Sequence, residues 1–448
     1  DLSSFMLWYN QAGTPALDAR LVYSPSAKTA RLTLTQSYPP REAGRRKPVP
    51  IPVRLGLLGV SGAEIPLRTD CGALSDGLIV FDRKKAIYTF EAVPERPVPS
   101  LLRDFSAPVN LNIKLKPRER LTLLRFDSDL FNRWQTAQAF ALAHIADLAK
   151  AIRMGAPAKP DRDFVAAVAS VAADESLEHA YRAAFLVVPG EADVALAIGE
   201  DVDPEAIHEA CRLLRHSLGS AARATLVDIF EKSVPSEPYS PDAESVGRRA
   251  LRRAALSLLI AGRSRFATER VRRMARTASN MTESVGALAI LSEVDSDDYT
   301  EAMERFYRRW KDEPLVMNKW FSLQATSASA ATAARVRELS THPLFSFKNP
   351  NRVRALFGAF AHGNQLRFND ATGEGYELVA DAVIEIDGFN PQVASKVVSA
   401  FESWRIFEPV RRAAAERALN RILSRRQLSL DVFELASKIA GRQSSPST

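Results

Sequence analysis

The chain has 448 residues, a formal net charge of +7, 46% hydrophobic and 25% charged residues, an ordinary globular composition with length for roughly two to four domains. No stretch approaches the ~20 consecutive apolar residues of a membrane span. The two cysteines, Cys71 and Cys211, lie far apart in different predicted domains, which argues against a disulfide framework, for a reducing compartment, and against a zinc knuckle.

Leu2 to Asn10 reads as the tail of a helix, with Phe5, Trp8 and Tyr9 apolar and Gly13 and Pro15 ending it; so short a helix is marginal alone. The start carries neither an initiator Met nor a signal peptide, so the expectation is a processing or artificial boundary and a chain that is a fragment. From Ala16 the period becomes two, Leu17, Ala19, Leu21 and Tyr23 alternating with Asp18, Arg20 and Val22, which predicts a strand. A turn over Ser24 to Lys28 and renewed alternation from Arg31 to Tyr38 complete a hairpin. The proline-rich, basic segment Pro39 to Pro50 is expected to be an exposed loop. Pro52 to Leu58, Glu64 to Leu67, Gly77 to Phe81 and Ala86 to Val93 are short strand patterns separated by turn residues, and their spacing predicts a small β-sandwich over 14–108.

Pro94 to Pro108, with the words SLLRDFSAPV, reads as the connection out of the sandwich. Beyond it the pattern is helical. Asp127 and Ser128 are placed to cap a helix from Leu130 to Met154 that Gly155 and Pro157 end. Asp161, Asp174, Asp203-Pro204 and Pro241-Asp242 open further apolar-periodic runs, and Gly199, Gly219 and Gly262 fall where runs end. Successive helices without strands over 109–448 predict an irregular α-solenoid of the HEAT or armadillo kind, whose concave face would offer an extended binding surface.

Arginine is concentrated between Arg248 and Arg276, where Glu269 is the one acidic neighbour in sequence. Clustered guanidinium groups bind phosphates and carboxylates through paired hydrogen bonds. Leu251, Ala254, Ala255, Leu258 and Leu259 fill the other face of the same helix, so a solvated outer face is the competing reading.

Catalytic patterns are sparse. A zinc peptidase needs two histidines one helical turn apart with a glutamate between them; His208-Glu209-Ala210-Cys211-Arg212 puts an arginine where the second histidine belongs, and His216 falls two turns on. Gly373-Glu374-Gly375 lacks the strand-to-helix context of a nucleotide loop. No catalytic residues and no bound cofactor are expected in this chain.

From Asp312 to Ala361 the pattern is specific. Pro314 opens one helix with Val316, Trp320, Phe321 and Leu323 at helical spacing, Ala333 to Leu339 forms a second, and Asn349-Pro350 starts a third running to Ala361. In that third helix Val353, Leu356, Phe357 and Phe360 form the apolar stripe, with Arg352 and Arg354 expected to be solvated. The words NKWFSLQAT and NPNRVRALFGAFA, with NPQVASK near Pro391 and WYNQAGTP at the start, closely resemble the C-terminal helical part of aminopeptidase N of the alanyl aminopeptidase type, a family of zinc metallopeptidases. The resemblance implies a division into 1–13, the end of a catalytic domain, 14–108, an immunoglobulin-like sandwich, and 109–448, the helical domain. It implies that zinc belongs to a thermolysin-like catalytic domain not contained in this sequence. It also implies that the helical domain caps the active site, and that Arg354, Gln392 and Lys396 line the cavity and approach a bound peptide. The family carries arginine where Lys396 stands, so only a point charge is expected there. The partners implied are a peptide substrate and the catalytic domain, in the cytoplasm, with no membrane or nucleic acid. A free-standing solenoid adaptor binding protein or nucleic acid through its arginine face is the alternative.

Overall fold

Alternating apolar residues produce strands where the period is two: β1 (Ala16–Ser24), β2 (Thr29–Ser37), β3 (Ile51–Leu58), β4 (Glu64–Ile65), β5 (Arg68–Thr69), β6 (Gly72–Ala73), β7 (Leu78–Phe81), β8 (Lys85–Phe90), β9 (Val98–Leu101) and β10 (Asn110–Ile113). The computed structural model describes residues 1–38, 46–69, 72–74, 76–235, 239–294 and 297–442; Cys71 and the first part of the Pro39 to Pro50 segment lie outside them. One sheet has the order β10-β1-β2-β8-β5-β6, and in the other β4, β7 and β9 all pair with β3. β1 and β2 pair antiparallel from Ala16 opposite Ser37 to Ser24 opposite Thr29, while β10 joins β1 in parallel. Leu17, Leu32, Leu34 and Phe90 from the first sheet and Ile51, Val53, Leu57 and Phe81 from the second are fully buried in one core. The chain is therefore an immunoglobulin-like β domain followed by a large, armadillo-like helical domain.

Two segments depart from the sequence reading. Val49, inside the expected loop, is fully buried because buried Gln36 clamps it: the Gln36 amide oxygen accepts from Val49 N at 2.9 Å and its Nε2 donates to Val49 O at 3.1 Å. The expected connection Pro94 to Pro108 holds strand β9 and a tight turn in which Leu102, Asp104 and Phe105 take φ of 59°, 55° and 51°, a conformation non-glycine residues rarely adopt. Arg103 over-determines this turn, donating to Ser100 Oγ at 2.9 Å, Glu64 at 2.8 Å and Asp127 at 2.9 Å, and its guanidinium fills the space a Cβ on Gly56 would need.

By contact the chain divides into Asp1–Phe140 with Arg162–Asp174, and Ala141–Asp161 with Glu175–Thr448. In the first unit, the helix Leu130–Arg153 begins as expected but is capped by Asp129, whose carboxylate accepts from Asn132 N at 2.7 Å; Asp127 instead accepts from Asp129 N and Arg103. In the second unit, the helices Pro204–Ala221 and Ala243–Ala261 start at Asp203 and Asp242, which accept backbone N–H groups of their first turns. Asp174 opens no helix directly, since the next begins at His179.

Gly262 ends its helix as expected, whereas Gly219 does not, and both serve a helix crossing. Gly219 lies within the Pro204–Ala221 helix, and a Cβ there would stand 1.8 Å from the Leu258 carbonyl oxygen, while one on Gly262 would meet Gly219 C at 2.5 Å. Two backbones touch at this crossing, which only glycine permits. Among the described residues no helix is long and apolar enough to cross a membrane.

Candidate functional site

The third helix of the Asp312 to Ala361 stretch starts where the sequence says: Asn349 Oδ1 accepts from Asn351 N at 3.0 Å, Pro350 occupies the first helical position, and helix runs to Gly363. Inside it, Arg354–Gly358 form one π-helical turn, a widening that recurs at functional sites. The turn opens at Arg354 and no feature of the sequence announces it.

The two arginines of this helix have opposite fates. Arg352 was expected in solvent, yet it is 6% exposed. Its Nε donates to Leu344 O at 2.9 Å, its Nη1 to Pro314 O at 2.8 Å and to Asn318 Oδ1, and the guanidinium lies 5.4 Å from the Phe321 ring centre. It ties the helix to the start of the Pro314–Ala325 helix, and burial lowers its pKa from the usual arginine value. Arg354 is exposed, and its Nη1 meets Asn351 Oδ1 at 3.4 Å.

Gln392 and Lys396 sit on the Pro391–Val398 helix, whose start is capped by Asn390 Oδ1 accepting from Val393 N at 3.2 Å. Four residues apart, they share one side of that helix, and both are exposed. Among the described residues no hydrogen bond or ion pair joins Arg354 to either. The link between the two helices is indirect: the His362 Nε2, two turns after Arg354, lies 3.2 Å from the Lys396 carbonyl oxygen. Among the described residues none of the three side chains pairs with a carboxylate.

His208 and Glu209 are engaged elsewhere. His208 Nδ1 lies 2.7 Å from Glu191 Oε1, and Arg212 holds both Glu209 oxygens at 2.6 Å. Cys211 is buried, and burial pushes its thiol up to about 12. Among the described residues no group of three His, Cys, Asp or Glu side chains is placed to hold a metal.

The arginine run is mixed. Arg253, Arg263, Arg265, Arg273 and Arg276 are exposed as the solvated-face reading expects. Arg249 is buried, Arg252 is mostly buried against Glu283 at 2.9 Å, and Arg272 pairs with Asp298 at 2.6 Å. A signal was available: Ser245, Arg249, Arg252 and Leu256 follow heptad-like spacing, and apolar Leu256 on that stripe marks a second packed face.

A domain family described as a domain of unknown function with ARM repeats (DUF3458_C) matches residues 117–441, and one described as a domain of unknown function with an Ig-like fold (DUF3458) matches residues 13–114. The chain is similar to aminopeptidase N of Caulobacter vibrioides, 35% identical over 442 residues, and to aminopeptidase N of Escherichia coli, 31% identical over 439 residues. Each alignment covers 98% of this chain and 50% of the relative, so the chain spans about half the length of these proteins. A crystal structure of Legionella pneumophila aminopeptidase A in complex with aspartic acid superposes with a TM-score of 0.83 at 30% identity, over 98% of this chain and 50% of that one.

Proposed function

We propose, from the premise that this chain belongs to the DUF3458 family, whose domains form the C-terminal part of M1 aminopeptidases, that it is the non-catalytic portion of a cytoplasmic zinc aminopeptidase that removes residues from peptide N-termini. The observation carrying this is the alignment of 98% of the chain with one half of proteins named aminopeptidase N. The residues present do not suit zinc: the nearest pattern offers Arg212 in place of a histidine, and Glu209 is neutralised by that same arginine. In this reading zinc is held by the half of the enzyme that this chain does not span, and this half caps the active site and holds the peptide.

In this reading Arg354, Gln392 and Lys396 receive the part of the peptide beyond its first residue. Two exposed cations without carboxylate partners among the described residues, Arg354 and Lys396, suit a peptide carboxylate. A desolvated charge pair contributes about 2 kcal/mol or more where an exposed pair gives about 1 or less, so closure by the catalytic half is needed for the effect to be large. The test uses the full-length enzyme. Arg354→Ala should raise KM for a peptide at least about tenfold and leave hydrolysis of a neutral aminoacyl amide nearly unchanged. Equal losses on both substrates would remove the peptide-binding role and leave a structural one.

A further inference from the structure

In an α-helix each N–H closes on the carbonyl four residues back, so the Ala359 N–H would go to Ala355 O. Here it goes to Arg354 O and Leu356 O, and the carbonyl of Ala355, a residue 7% exposed, loses its helical donor. A buried carbonyl left unmet is costly. The Ser322 hydroxyl supplies the replacement, its Oγ donating to Ala355 O at 2.9 Å from the neighbouring Pro314–Ala325 helix. Serine within a helix often bonds back to its own i−4 carbonyl, and Ser322 Oγ also lies 3.0 Å from Asn318 O. That oxygen already serves its own helix ladder, whereas Ala355 O has given up its place in one.

The π turn lies between two segments that are fixed independently. Before it, Arg352 reaches Leu344 O, Pro314 O and Asn318 Oδ1. After it, Asn364 Nδ2 donates to Ala325 O at 3.0 Å and to Ser327 O at 2.7 Å. Closing the turn to regular α-helix would rotate one segment about 100° against the other, and both are tied down. The extra residue of the π turn lets the two anchors coexist, and Arg354 is the first residue of that turn. Asn318 and Ser322, one helical turn apart on one side of the Pro314–Ala325 helix, meet the junction at two points: Asn318 takes Arg352 and Ser322 takes Ala355. Arg354 falls between those two in sequence, with its own side chain exposed.

We infer that, given the role of Arg354 as a peptide-binding residue proposed above, Ser322 is its positioning residue: by meeting Ala355 O it holds the π turn, and the turn sets where Arg354 presents its guanidinium. Ser322 touches no substrate in this assignment. Its contribution passes through the backbone of the turn, so removing the hydroxyl acts on peptide binding only by way of Arg354.

The experiment uses the full-length enzyme carrying Ser322→Ala, Arg354→Ala, or both. Ser322→Ala should raise KM for a peptide at least about threefold with kcat unmoved, and the double variant should be no worse than Arg354→Ala, because both changes act through one side chain. A crystal structure of Ser322→Ala should show the Ala359 N–H redirected to Ala355 O and Arg354 displaced. An intact π turn with Arg354 in place, full additivity in the double variant, or an unchanged peptide KM in Ser322→Ala beside a raised one in Arg354→Ala would overturn the proposal. If instead Arg354→Ala leaves the peptide KM unchanged, the peptide-binding role of Arg354 falls by itself, and the crystal structure of Ser322→Ala still decides whether Ser322 holds the turn.

Discussion

Gly219→Ala sets two effects of opposite sign against each other. Within a helix alanine is favoured over glycine by about 1 kcal/mol, because glycine loses more backbone freedom on folding. Here the new Cβ would stand 1.8 Å from Leu258 O and 2.8 Å from Gly262 N, and neither neighbour is the free end of a side chain. Relief requires the Pro204–Ala221 and Ala243–Ala261 helices to move apart by well over an ångström, which opens the packing of Leu214, Leu218, Leu258 and Leu259, all nearly fully buried. Overpacking of this kind costs about 1–3 kcal/mol and more where backbone must shift, so the net expectation is a loss of about 2 kcal/mol. Gly358→Ala is the control, since its Cβ would find its nearest neighbour at 3.8 Å and the propensity gain of about 0.5–1 kcal/mol is not opposed. Urea midpoints followed by the helical circular dichroism signal separate the two, with unchanged slopes required for the comparison. A Gly219→Ala chain unfolding at or above the parent midpoint would show that the crossing is not set by backbone contact.

Acid should weaken the second unit through His144 and His342, which accept backbone N–H groups from Asp161 at 2.9 Å and Leu344 at 3.1 Å. Burial holds both below the usual histidine value, so their contribution is complete above the unfolded pKa near 6.5 and is lost as pH falls through the folded values. Urea midpoints at neutral and mildly acidic pH should show the fall, and pairing His144→Gln with His342→Asn should flatten it; an unchanged slope would refute the assignment. Arg352→Met should lose about 2–4 kcal/mol by leaving three acceptors unmet, measured by the same unfolding, and a loss under about 0.5 would mean water replaces the guanidinium freely. Cys211, buried with its thiol raised to about 12, should resist alkylation at mildly alkaline pH in the native chain and react once urea unfolds it. Site-resolved mass spectrometry reads this, and native labelling at the rate of a free thiol would contradict the burial.

Elements with a clean period were legible from the residues. β1, β2, β3 and β8 sit within two or three residues of the alternating runs, because one face of each strand is in the core and the other is not. β9 and β10 were not, since Pro99 interrupts one and the other is four residues of mixed polarity, N-L-N-I; pairing with β3 and β1 decides both, and pairing is not a local property. Asn-Pro and Asp-Pro helix starts were readable because cap and first-turn proline act within four residues of each other. Gly262 is a helix stop as its sequence reads, but Gly219 read as one only because close backbone approach leaves the same mark on sequence as a helix end.

Charge was the least legible quantity, and the helix from Pro350 shows why. Arg352 and Arg354 are two residues apart, about 200° around the axis, so if one faces the packed side the other faces away; periodicity alone favoured putting both outside because arginine is so rarely buried. What draws Arg352 inward is a set of carbonyl oxygens on other segments, Leu344 and Pro314, which no local pattern encodes. The same physics operates at Arg249, whose stripe-mate Leu256 betrays a second buried face. A buried guanidinium is tolerated where carbonyls and aromatic faces replace water around it, so arginines in this chain divide by the acceptors that tertiary structure brings to them. Arg354, exposed at the mouth of the π turn with a single long contact to Asn351, is left with its donors uncommitted, and that is the property a residue must have if it is to meet a peptide.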